Sequence, residues 1–139
     1  MTEITLNYPA ILAAAAASMI LGFIYYTPNV LGNTWMKLAG LSKDEMEKGK
    51  KSMGQTVVLA LVGALVMAYV FAHVIDFSGA RDASSGAQGG FWMWLGFVAT
   101  TSAGRFLWEK KRPWSLWVLD NGYHLLNLII MGMILGTWR

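Results

Sequence analysis

The chain has 139 residues, of which 55% are hydrophobic and 14% charged; its mean hydropathy is +0.44 and its net charge +3. A soluble domain usually carries about a quarter charged residues, so the composition points to an integral membrane protein and away from a soluble one. Cysteine is absent, which excludes thiol catalysis, thiolate metal sites and disulfides. The basic residues flank apolar stretches, so the small positive charge does not argue for nucleic acid.

The charges are bunched. None falls between Ile4 and Met36, between Ser52 and Ile75, between Ala83 and Gly104, or between Asn121 and Trp138. A helix that crosses the hydrocarbon core needs about 20 mostly apolar residues. The pattern therefore predicts an all-α fold: one domain over residues 1–139, a bundle of four transmembrane helices. Met1 to Asn7 holds Glu3 and no Lys or Arg. It lacks the basic leader of a secretory signal, and the first apolar stretch is expected to stay in the mature chain.

The first span is predicted at about 9–27, with Pro9 suited to a helix start and Pro28 ending it. Ser18 and Gly22 lie four apart, a small face that lets another helix approach closely. Tyr25 and Tyr26 are placed as interfacial anchors, as is Trp35 in the loop that follows. Within that loop, Ser42 and Glu45 have capping-box spacing and predict a short cytoplasmic amphipathic helix from Lys43 to about Lys51. The second span is predicted at about 54–75. Residues 76–89 are rich in Gly, Ser and Ala and read as an exposed, flexible loop. The third span, about 90–108, is joined by a short loop to the fourth, about 114–138, making those two antiparallel neighbours. Gly132 and Gly136, again four apart, give the fourth span a second small face.

Basic residues set the orientation. Lys37, Lys43, Lys48, Lys50, Lys51, Arg105, Lys110, Lys111 and Arg112 fall on one side, against Arg81 and Arg139 on the other. The positive-inside rule then places both termini outside and the first and third loops in the cytoplasm.

Ionisable residues inside a bilayer are costly and usually face the bundle interior. Asp120, His124 and Asn127 fall at i, i+4 and i+7 on one face of the fourth span, flanked by Asn121 and Tyr123. These residues, with Arg105, are the candidates for holding a ligand or a proton. Counting about 1.5 Å of rise per residue puts Arg105 and Asp120 near the same end of neighbouring helices, which predicts an ion pair between them. His124, near the midplane, is a proton-relay or ligand group, or else a neutral ring bonded to Asp120, Thr100 or Thr101. No metal site is expected, because His73 lies at a different depth, and no cofactor or catalytic residue is indicated. Tyr25, Tyr26, Trp35, Arg105 and Asp120 are expected near the cytoplasmic surface, lining one vestibule toward His124.

Three stretches together carry a family resemblance. They are Tyr25-Tyr26-Thr27-Pro28 with Leu31 to Lys37, then Trp94 to Thr101, then Asn121-Gly122-Tyr123-His124 running through Met131 to Trp138. Together they resemble a bacterial family of small four-span membrane proteins known as domain of unknown function seventeen sixty-one. The resemblance implies four helices in a bacterial inner membrane and transfers no catalytic residue. Arg105 departs from the family's pattern.

Two functions are consistent with these residues. One is a homo-oligomeric transporter or channel that binds a small ligand or passes protons along the polar stripe of the fourth span. The other is a non-catalytic scaffold or accessory subunit, whose Ser18/Gly22 and Gly132/Gly136 faces bind partner helices. A membrane enzyme that uses Asp120 and His124 lacks any accompanying nucleophile.

Overall fold

The computed structural model describes residues 5–110 and 113–138. Among them the fold is all-α. Helix α1 (Tyr8–Tyr25) starts where Asn7 caps it, its Oδ1 accepting from the Ala10 amide at 3.2 Å, with Pro9 in the first turn. After Thr27 a tight π-helical turn, Pro28–Gly32, leads into α2 (Asn33–Ala39). Gly40, at φ +68°, stops α2 in a left-handed conformation that a side chain would resist. The short polar helix α3 (Lys43–Lys51) forms as predicted, Ser42 Oγ accepting from the Glu45 amide at 3.2 Å.

Helix α4 (Met53–Ser78) is apolar all round. Ala64, Ala68, Phe71, Ala72 and Ile75 are buried, whereas Val58, Leu59, Val62, Val66 and Val70 are more than half exposed. A helix of this kind suits a setting with protein on one side and lipid on the other. Helices α5 (Ala83–Met93) and α6 (Thr100–Glu109) are joined without interruption by a π-helical segment, Trp94–Ala99. Helix α7 (Trp114–Thr137) follows.

Among the described residues three helices, α1, α4 and α7, are long and apolar enough to cross a membrane. The third predicted span lies in the α5–α6 run. That run differs from the others because its first two turns, Ala83–Gly90, are built from small and polar residues and its middle leaves regular α geometry.

The expected loop over residues 76–89 is not there. The end of α4 and the first two turns of α5 occupy most of it, leaving only Gly79 to Asp82 between helices. Asp82 and Ser85 form a reciprocal capping box that starts α5. Gly86 and Gly90 then lie directly on the α7 backbone. A Cβ on Gly86 would stand 2.0 Å from the Gly132 carbonyl oxygen, and one on Gly90 would stand 2.2 Å from that of Leu128. Glycine disfavours an isolated helix by about 1 kcal/mol per residue, but here it permits backbone-to-backbone contact. Tertiary packing overrides the local preference.

Helix α7 is the hub. It packs on α5, α1 and α4, and α1 packs on α4 in turn. The core joins Ala10, Ala14 and Ala15 of α1, Ala68, Phe71 and Ile75 of α4, and Leu128, Met131 and Leu135 of α7. The small side chains of α1 are what bring it close to its neighbours.

Candidate functional site

The C-terminal end of α1 and the N-terminal ends of α4 and α7 meet at one end of the bundle, with the Pro28–Gly32 turn and α2 folded against them. The turn is tight enough to need glycine. A Cβ on Gly32 would sit 2.2 Å from the Tyr26 carbonyl oxygen. This fold-back carries Trp35 to Tyr26, ring centroids 6.2 Å apart and planes at 81°.

Tyr26 then reaches across to α7. Its hydroxyl donates to Asp120 Oδ1 at 2.7 Å. Tyr25 turns to the other side and donates to the Leu119 carbonyl at 2.5 Å. That bond passes over Gly122, where a Cβ would lie 2.7 Å from the Tyr25 oxygen. Tyr123 completes the cluster. Its ring lies 5.7 Å from Tyr25, 5.4 Å from Tyr26 and 5.3 Å from His124, and its hydroxyl donates to the Ser18 carbonyl at 3.3 Å.

These side chains frame an open cavity of about 740 Å³. Tyr26 and Trp35 form two walls, Asp120 and His124 supply its ionisable groups, and Met36, Met53 and Thr56 line the rest with the Pro28–Gly32 turn. Its lining is mostly apolar. A second cavity, of about 240 Å³, lies deeper between α1, α4 and α7 and reaches Ser18, Met19, Ala60 and Tyr123. Tyr26 and Thr56 line both.

The family model described as a protein of unknown function (DUF1761) matches residues 9–136. The chain belongs to that family. Among curated proteins and solved structures, none matches it.

The predicted stripe of this DUF1761 chain divides. Asp120 and His124 line the cavity, but Asn127 turns into the core, 3% exposed, its Nδ2 donating to Met67 Sδ at 3.7 Å. Its Oδ1 is buried without a hydrogen-bond partner. Asn121 donates to the Trp117 carbonyl of its own helix at 3.1 Å and faces α6, where its Oδ1 accepts from Ser102, a hydroxyl that in turn accepts from Trp117 Nε1 at 3.0 Å.

The Arg105–Asp120 ion pair does not form. Arg105 Nε donates to Glu109 Oε1 at 2.8 Å on its own helix, with its side chain 66% exposed. The expectation fails on direction around α7: Asp120 faces Tyr26, just past the end of α1, and it is Asn121 that faces α6. Thr100 and Thr101 likewise do not face His124. Both donate to carbonyls of their own run, at Gly96 and Phe97. Of the expected vestibule, Tyr26, Trp35, Asp120 and His124 come together, Tyr25 stands behind them, and Arg105 is absent.

The two small faces are occupied within the chain. Gly132 and Gly136 pack against Gly86 and Asp82, and Gly22 lies 3.3 Å, by its notional Cβ, from the Tyr123 hydroxyl. Sequence reasoning missed Gly86, Gly90 and Gly122. The signal was their spacing: Gly86 and Gly90 are four apart, as are Gly132 and Gly136 on the helix they meet. Gly122 sits inside the polar stripe, where only a close approach explains it.

Proposed function

We propose that this chain is a four-span protein of the bacterial inner membrane, with α5 and α6 together forming the third crossing. It admits a small ligand to the cavity framed by Tyr26, Trp35, Asp120 and His124, in the manner of a small transporter that works as a homo-oligomer. The observation that carries this reading is the cavity of about 740 Å³ where a carboxylate and an imidazole face mostly apolar walls. A concave, largely apolar pocket with a few convergent polar groups is the usual form of a small-molecule site. With both termini outside, the cavity opens toward the cytoplasm, since it lies at the same end of the bundle as the lysine-rich loop that holds α3. The scaffold reading loses its sequence support, because its helix-docking faces are covered by the chain itself.

The cysteine-free sequence offers a direct test. In a reconstituted Thr56→Cys variant, a water-soluble maleimide is expected to label the new thiol, and only from the side that carries Lys48. Absence of labelling would show the cavity to be dry and overturn the reading.

A further inference from the structure

Resting on that reading, we propose the class of ligand: a free amphiphilic organic cation, its positive centre against Asp120 and its apolar body in the adjoining deeper cavity. Among the described residues that line the main cavity, Asp120 is the one acidic side chain, and no Lys or Arg lines it. Its carboxylate takes a hydrogen bond from Tyr26 and no ion pair among the described residues. A carboxylate among mostly apolar walls attracts a cation more strongly than one in open water. Tyr26 and Trp35 stand at nearly a right angle beside it, and aromatic faces attract a desolvated ammonium or similar centre.

Size and polarity agree with charge. The second cavity continues past Tyr26 and Thr56 among Met19, Phe23, Val57 and Ala60, and its lining is almost wholly apolar. A ligand with its charge at Asp120 thus has an apolar compartment for the rest of its body. The adaptable thioethers of Met36 and Met53 at the mouth suit hydrophobic bodies of varied shape. A zwitterionic lipid headgroup fits less well. Its ammonium would meet Asp120, but its phosphate would lie in a cavity with no basic side chain among the described lining residues.

The test uses tetraphenylphosphonium and tetraphenylborate, which share a shape and differ in the sign of their charge. Binding to the protein in phosphatidylglycerol nanodiscs is measured by equilibrium dialysis against empty discs, and occupancy by protection of Thr56→Cys from maleimide. The phosphonium is expected to bind and protect, and the borate to do neither. Asp120→Asn should weaken phosphonium binding by at least about tenfold, and Asp120→Glu should retain it. Equal protection by both ions, or protection by the borate alone, overturns the cationic class while leaving the ligand-binding reading intact. A thiol that resists labelling with no probe present defeats both. Full protection by phosphatidylcholine discs, without phosphonium, would make the occupant a lipid headgroup and overturn the free cation. The comparison of the two ions is made with Asp120 in place, so it stands even if Asp120→Asn fails to fold.

Discussion

Gly122 shows how a single hydrogen atom in place of a side chain sets the site. The Tyr25 hydroxyl can reach the Leu119 carbonyl only because nothing projects from Gly122. Gly122→Ala is expected to displace that hydroxyl and to cost about 1–2 kcal/mol through the lost hydrogen bond. Tyr25→Phe removes the clashing oxygen, so the double variant should be less destabilised than the sum of the singles. Thermal unfolding of the four proteins in detergent gives the cycle, and strict additivity would refute the contact. Tyr25 and Tyr26 were legible in the sequence as aromatic residues at a span end. Their bonds to α7 were not, because adjacent residues point to different sides of a helix end and only the partner helix decides what each meets.

At the scale of elements, the pairing of α5 with α7 governs the fold. Gly86→Ala would drive a Cβ to 2.0 Å from a backbone oxygen that cannot rotate away. The two helices must then separate, at an expected cost of about 3 kcal/mol or more. Gly63, in the middle of α4, has nothing within 4 Å of its notional Cβ. Gly63→Ala should therefore stabilise the chain, by up to about 1 kcal/mol, through helix propensity alone. Chemical denaturation of both variants separates close packing from mere composition, and equal effects would contradict it.

The cap at the start of α5 is expected to weaken in acid. Ser85, through its backbone N–H and then its hydroxyl, holds the Asp82 carboxyl below its ordinary value. A group depressed in the folded state adds stability that is present above its unfolded value and lost as pH falls through its folded one. Asp82→Ala should thus lower the melting temperature at about pH 6, and the gap from the parent should narrow as the pH falls below about 4. A gap that persists unchanged in acid would assign the effect to something other than the charged cap.

For the whole molecule, the third crossing is the decisive prediction. Ser84→Cys at the start of α5 and Lys110→Cys just past α6 are expected to label from opposite sides of the membrane, with Lys48→Cys sharing the side of Lys110→Cys. If Ser84→Cys and Lys110→Cys label from the same side, α5 and α6 do not cross and the four-span topology fails. Helices α1, α4 and α7 are each apolar helices of 18 residues or more, long enough to cross a membrane.

The sequence by itself determined what local physics determines. Low charge, long uncharged runs and the Ser42/Glu45 cap follow from residue type and spacing alone, and so do the positions of α1, α3, α4 and α7. It also placed Asp120 and His124 on one helix face, which the helical repeat guarantees. Only the tertiary structure decided which neighbours those faces meet. It folded the Pro28–Gly32 turn back to bring Trp35 to Tyr26, gave Asp120 a tyrosine in place of Arg105, and turned a glycine-rich stretch into a helix. Each of these depends on close approach between segments far apart in the chain, and spacing within one helix carries no information about the direction from which another arrives.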